Sequence, residues 1–231
     1  MKNIYRPFCI RLNKNMIDNN IINKTVNSII DSLETANHIN DQLGLLDNPL
    51  PAETINKLQL LINKEDIKWK LVAGQEDLNR GMIDWIPESI IEELHMTCDI
   101  LTEDIKQYFG IDNISFQALQ LWKDDKDYNI TLHKDNPVID VSMQIYLFND
   151  GFENEGTTFF IKEGKNGLPV EYINIPFKSN TGYLAWKKSN EDRIKHQITN
   201  TVTSRSRYTL YLTWSRFGKQ APDANDPAAF L

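Results

Sequence analysis

The segment Thr131-Leu132-His133-Lys134-Asp135-Asn136 sets an imidazole and a carboxylate two residues apart. Side chains alternate along an extended strand, so His133 and Asp135 project on the same side. Together they can offer one ring nitrogen and one carboxylate oxygen to a single metal ion. A second imidazole, His196, stands much later, in Arg193-Ile194-Lys195-His196-Gln197-Ile198. The intervening chain is long enough for several strands to bring it back to the first pair. Two imidazoles and one carboxylate cover one face of an octahedral ion and leave the other face open. That ligand set suits non-haem Fe(II), where a cosubstrate and O₂ must both reach the metal.

A cation follows closely. Arg207-Tyr208-Thr209 opens the run Arg207–Trp214. A planar guanidinium grips a carboxylate through two parallel hydrogen bonds, and Thr209, facing the same side, can add a third. Burying an arginine near a metal is costly without an anion, so an anionic partner is implied. The distal carboxylate of 2-oxoglutarate is such a partner, with its keto-acid end on the iron. Arg205 is the competing anchor. Arg207 is preferred because it supplies Arg-x-Thr and puts Thr209 and Tyr211 on one inward face.

These residues need a scaffold, and the chain changes texture half-way to provide one. In the first half Ile17, Ile21, Ile22, Val26, Ile29, Ile30 and Leu33 recur at helical spacing. Gly44 and the Pro49–Pro51 segment are expected to end that unit. A shorter helix is predicted from Glu53 to Asn63. A third begins near Pro87, carries Ile90, Ile91, Leu94, Cys98, Leu101 and Ile105, and is capped by Gly110. Beyond Gly110 lie short β-branched and aromatic runs: Phe116–Trp122, Val141–Phe148, Thr157–Ile161, Val170–Ile175, Gly182–Trp186 and Arg207–Trp214. Turn formers separate them, among them Asn149-Asp150-Gly151, Asn166-Gly167 and Gly182. This pattern predicts an all-β sandwich or barrel. Neither a phosphate-binding glycine loop nor an internal repeat is found. The expected organisation is mainly helical support over 1–110 and a β core over 111–231, acting as one unit.

Bulk properties narrow the function. At 231 residues the chain can bury a sizeable core. A formal charge of −7 argues against a broad nucleic-acid surface. Lys187, Lys188, Arg193, Lys195, Arg205 and Arg207 nevertheless crowd together, which leaves room for a local basic funnel. The two cysteines, Cys9 and Cys98, form no CxxC pair. No apolar run suits a signal peptide or a bilayer span, so a cytoplasmic location without membrane contact is expected. His38 and His95 read as surface or core residues on helices. Trp122, Tyr128 and Trp186 read as core aromatics, with Trp122 the best pocket candidate. The charged run Lys123–Asp127 reads as a solvated hairpin loop.

The region from about Phe116 to Trp214 resembles the Fe(II)/2-oxoglutarate dioxygenases, closest in texture to the prolyl-hydroxylase-like branch. His133, Asp135 and His196 match that family's His-x-Asp…His iron motif, and Arg207 with Thr209 matches its Arg-x-Ser/Thr. Tyr146, in Ile145-Tyr146-Leu147-Phe148-Asn149, stands near the place of the branch's cosubstrate tyrosine, with one residue extra. Asn154-Glu155-Gly156-Thr157 corresponds to a Gly-Gly turn lacking its first glycine. The resemblance implies an α+β fold: a double-stranded β-helix (jelly-roll, cupin-like) core with N-terminal supporting helices. It implies Fe(II) as metal, 2-oxoglutarate and O₂ as cosubstrates, and hydroxylation of a prolyl or other peptidyl residue, a free amino acid or a small metabolite. Asp135 argues for oxygenation, since related halogenases carry a small residue there. The rival reading is a cupin-like barrel that is iron-independent or only binds. Iron-independent sites of that kind usually hold a fuller histidine cluster, and this chain has only four histidines.

Overall fold

The computed structural model describes residues 17–71, 80–83, 88–148, 155–164, 169–187, 193–198 and 206–217. Cys9, Pro87, Asn149, Asn154, Lys188 and Arg205 lie outside the described residues. Three helices, α1 (Asn19–Glu34), α2 (Ala52–Ile62) and α3 (Ser89–Phe109), fall where apolar residues recur at helical spacing. Asp18 starts α1 by accepting a 2.9 Å hydrogen bond from the Asn20 amide. Gly110 ends α3 in the left-handed conformation, at φ +64°, that a side chain would disfavour.

The first half is not purely helical. Helix α1 stops at Thr35, well before Gly44, because the next segment forms a hairpin, β1 (Asn37–Asn40) and β2 (Leu43–Asp47). His38 therefore sits on a strand, where its ring meets the Tyr108 hydroxyl at 2.6 Å. Two further short strands, β3 (Lys70–Leu71) and β4 (Arg80–Ile83), also precede α3.

All four join a large antiparallel sheet with β5 (Ser115–Asp124), β7 (Val141–Tyr146), β10 (Thr181–Trp186) and β12 (Arg207–Ser215). Its strand order is β1-β2-β10-β7-β12-β5-β4-β3. A smaller sheet holds β6 (Ile130–His133), β11 (Lys195–Ile198), β8 (Gly156–Glu163) and β9 (Pro169–Pro176), in the order β6-β11-β8-β9.

The large sheet is buried on both faces, yet its central strands alternate apolar and polar residues. Val141, Met143 and Ile145 of β7, with Leu210, Leu212 and Trp214 of β12, pack into one core with the apolar stripes of the three helices. The opposite face carries Ser142, Gln144 and Tyr146, with Thr213, Tyr211 and Thr209 of β12 in register beside them and Arg207 next along that strand, beside Asp124 of β5. That face meets the small sheet through a second cluster containing Tyr146, Phe159, Ile175, Phe177 and Tyr183. A two-faced sheet of this kind separates stability from chemistry. One side buries hydrocarbon, and the other presents polar groups to an interior from which water is largely excluded.

Candidate metal and anion sites

Strand β6 ends at His133, and Asp135 follows in the connecting segment, where Asn136 caps a turn by accepting from the Val138 amide at 3.1 Å. Strand β11 runs antiparallel to β6 and puts His196 directly opposite His133. Their rings lie 4.3 Å apart between centroids. His133, Asp135 and His196 each present a ligand atom within 4.8 Å of the other two. The structure thus brings together the three residues singled out from the sequence.

The surroundings of these groups suit a cation. Nδ1 of His133 lies 2.8 Å from the Thr131 carbonyl, which can only accept, so Nδ1 donates and Nε2 is the ring nitrogen left for a metal. His196 is buried, and burial drives its pKa down to about 4 despite the neighbouring Asp135, so the ring is neutral near pH 7. Burial alone would raise the Asp135 pKa, but Arg193 first, then the two imidazoles and the Tyr211 hydroxyl, hold it below the usual carboxylate range. The two oxygens of Asp135 are differentiated. Oδ2 accepts from Arg193 at 3.0 Å, while Oδ1 faces Nε2 of His196 at 3.6 Å. Two imidazoles and one carboxylate oxygen that Arg193 does not occupy are a donor set that fits a divalent metal.

Arg193 entered the sequence reading only as part of a basic cluster. It is instead buried, donating to the Ile139 carbonyl at 2.8 Å, Ser142 Oγ at 2.5 Å and the Ala185 carbonyl at 3.3 Å, as well as to Asp135. Arg207 is buried too, and Lys187 is mostly covered beside Asp140. These three residues do not form an open basic funnel.

Arg207, Thr209 and Tyr146 do share one face, Thr209 standing opposite Tyr146 in register. Tyr146 is fully buried and its hydroxyl lies 2.7 Å from Thr157 Oγ1; burial keeps it protonated by raising its pKa. The Thr209 hydroxyl is buried without a hydrogen-bond partner, a costly state that a bound acceptor would relieve. Arg207 has an internal partner that the sequence concealed. Its Nε and Nη2 donate to Asp124 Oδ2 at 3.0 and 2.6 Å. Asp124 belongs to β5 and is fully buried, so the run from Lys123 onward is not a solvated loop throughout. Arg80 holds the same carboxylate from the other side.

The aromatics divide between the two faces. Trp122 stacks on Tyr211, with centroids 4.4 Å apart, on the polar face near Asp135. Tyr128 is buried under the Arg80 guanidinium. Trp186 packs against Phe109 on the helical side and lines no part of the site. His95 sits edge-on to Phe116, away from the triad.

No family model and no curated protein matches the sequence. Solved structures do match. A prolyl-4-hydroxylase from Pseudomonas putida superposes with a TM-score of 0.59 at 17% identity, covering 84% of this chain and 100% of that one. This chain thus has the fold of a prolyl-4-hydroxylase. A Trichoplax adhaerens prolyl hydroxylase, solved with a hypoxia-inducible-factor peptide, matches at TM-score 0.57 and 15% identity over 87% of this chain and 93% of that one. A 2OG-Fe(II) oxygenase from Burkholderia pseudomallei gives 0.54 and 14%, over 84% and 93%. In this oxygenase fold the mixed helical and antiparallel layout has its counterpart across nearly the whole length of those chains. Among the described residues no helix is long and apolar enough to cross a membrane.

Proposed function

We propose that this chain is an Fe(II)- and 2-oxoglutarate-dependent dioxygenase that hydroxylates its substrate. The observation that carries the reading is the meeting of His133, Asp135 and His196 in a fold shared with such oxygenases. The two facing sheets are read as a double-stranded β-helix, with the N-terminal helices as its support and residues 1–110 and 111–231 as one functional unit.

His133 Nε2, Asp135 Oδ1 and His196 Nε2 would hold the iron. When bound, Fe(II) supplies the oxidising power by coupling O₂ reduction to decarboxylation of 2-oxoglutarate to succinate and CO₂. The chain's own residues then do the positioning. Arg193 occupies Asp135 Oδ2 and so restricts that carboxylate to one outward oxygen. Arg207, Thr209 and Tyr146 would receive the distal carboxylate of 2-oxoglutarate, the hydroxyl of Thr209 gaining the acceptor it lacks. Tyr146, Tyr183 and Tyr211 are kept protonated chiefly by burial, so they act as neutral hydrogen-bond donors rather than as bases. The stacked Trp122–Tyr211 pair, whose tyrosine hydrogen-bonds Asp135, would wall one side of the site.

For the primary substrate, a prolyl or other peptidyl residue is favoured, followed by a free amino acid or small metabolite. A peptide was captured with one of the structural neighbours, which supports that order. The test is succinate formation from 2-oxoglutarate after anaerobic Fe(II) loading and admission of O₂, with candidate prolyl peptides as stimulants. Absence of metal-dependent succinate in every condition would sink the oxygenase reading in favour of a binding barrel.

A further inference from the structure

Arg80, Asp124 and Arg207 form a charged cluster that water barely reaches, with exposures of 5%, 0% and 3%. Asp124 stands at the end of β5, and the pairing of strands puts Arg80 of β4 on one side of it and Arg207 of β12 on the other. Arg80 donates from Nε to Oδ1 at 2.6 Å and from Nη2 to Oδ2 at 3.0 Å. Arg207 crowds its Nε and Nη2 onto Oδ2 alone. Aromatic faces cover the cations: Arg80 lies 4.0 Å from the Trp122 ring and 4.1 Å from Tyr128, and Arg207 lies 5.4 Å from Phe177.

Among the described residues two guanidiniums share this one carboxylate, so the three side chains together carry one positive charge in excess. Aromatic faces attract cations but neutralise nothing. A buried, uncompensated charge is strongly unfavourable, and the unused donors of Arg207 lie on the same face as the unpartnered Thr209 hydroxyl. An Arg207–Asp124 pair alone would be neutral, with no electrostatic preference for a second carboxylate.

We propose that Arg80 determines cosubstrate specificity: by taking up the charge of Asp124, it leaves Arg207 a net positive charge for the distal carboxylate of a 2-oxo dicarboxylic acid. The inference rests on the reading of 2-oxoglutarate as cosubstrate and adds a residue from outside the expected β core to its binding site. It makes the charge sum of three side chains, rather than Arg207 alone, the quantity that selects a dicarboxylate over an oxo acid with an uncharged tail.

The experiment titrates anaerobic Fe(II)-loaded protein by calorimetry with 2-oxoglutarate and with 2-oxobutyrate, which has the keto-acid head but no distal charge. Arg80→Met should weaken 2-oxoglutarate binding by roughly ten- to a hundredfold, the scale of a lost charge-assisted contact, and leave 2-oxobutyrate unchanged. Arg80→Lys should keep most of the discrimination. Arg80→Met combined with Asp124→Asn again leaves a single cation and should recover 2-oxoglutarate binding to within a few-fold of wild type. A merely structural role for Arg80 would weaken both ligands and would not be repaired by removing the Asp124 charge. Undiminished 2-oxoglutarate binding by Arg80→Met, or a double variant no better than the single one, overturns the proposal. Circular dichroism reports the fold of each variant. If Arg80→Met alone does not fold, the double variant decides, retained discrimination supporting the proposal and lost discrimination overturning it. A wild-type protein that binds no 2-oxoglutarate removes the cosubstrate reading itself, and this inference with it.

Discussion

His133 and His196 reach the same point by different means. Hydrogen bonding to Thr131 orients the ring of His133, whereas burial keeps His196 uncharged. Both were legible in the sequence because a His-x-Asp pair and a later histidine are recognisable by type and spacing alone. Replacing His133, Asp135 or His196 singly by alanine should abolish succinate formation while the fold survives, because these three side chains lie apart from the helix-packed core. Near-wild-type turnover with normal iron content in any of the three would show that the ligand set is wrong. Arg193 was hidden among lysines, and its role depends on four contacts that no local pattern announces. Arg193→Met leaves Asp135 Oδ2 without its donor, so Fe(II) affinity should fall by roughly ten- to a hundredfold, the usual effect of losing a group that orients a metal ligand. Arg193→Lys should recover little of this, because an ammonium cannot span Ile139, Ala185, Ser142 and Asp135 as a planar guanidinium does. Equal metal affinity in calorimetric titrations of wild type and Arg193→Met would show that Asp135 needs no such support.

At the scale of elements, what the sequence revealed depended on length and on partners. Strands β7 and β12 are long and rich in β-branched and aromatic residues, and they stand out. The two residues of β3 and the four of β4 are too short for any period to show, and β11 lies in a charged stretch. The hairpin β1–β2 owes its existence to pairing with β10, more than a hundred residues away in sequence. Asp124 looked solvated because it sits among charged neighbours; its partners Arg80 and Arg207 lie 44 and 83 residues off. Gly182, read both as a turn former and as the first residue of a strand, lies inside β10, packed against β7. A Cβ there would stand 2.0 Å from the Gln144 carbonyl oxygen, so Gly182→Ala must push β10 away from β7. The expected cost is on the order of 3 kcal/mol, seen as a clear drop in Tm. Gly44→Ala is the matched control, since its Cβ would meet Trp186 at 3.7 Å and Ala36 at 3.9 Å, both ordinary contacts. If both variants melt alike, the close approach of β10 to β7 is not what requires glycine.

For the whole molecule, the buried ionisable groups couple stability to pH and to metal. The folded chain holds His196 at a pKa of about 4, against 6.5 for an ordinary histidine, because burial disfavours the charged ring. Between those values the unfolded chain binds a proton that the folded chain refuses, so stability rises with pH across the window and is lost on acidification. The gap corresponds to on the order of 3 kcal/mol at the acid end. Asp124 and Asp135 act in the same direction at lower pH. Arginines hold both below the usual carboxylate value despite burial, so protonation of the unfolded chain draws the equilibrium further towards unfolding. Metal binding requires the neutral ring and the ionised carboxylate, so Fe(II) should raise Tm near neutral pH and lose that effect as the site protonates. Metal-free wild type should therefore show a falling Tm as pH is lowered from about 6.5 towards 4, and His196→Leu a shallower fall over the same range. A pH-independent Tm in wild type, or an equal slope in His196→Leu, would mean that the ring is not held neutral by the fold.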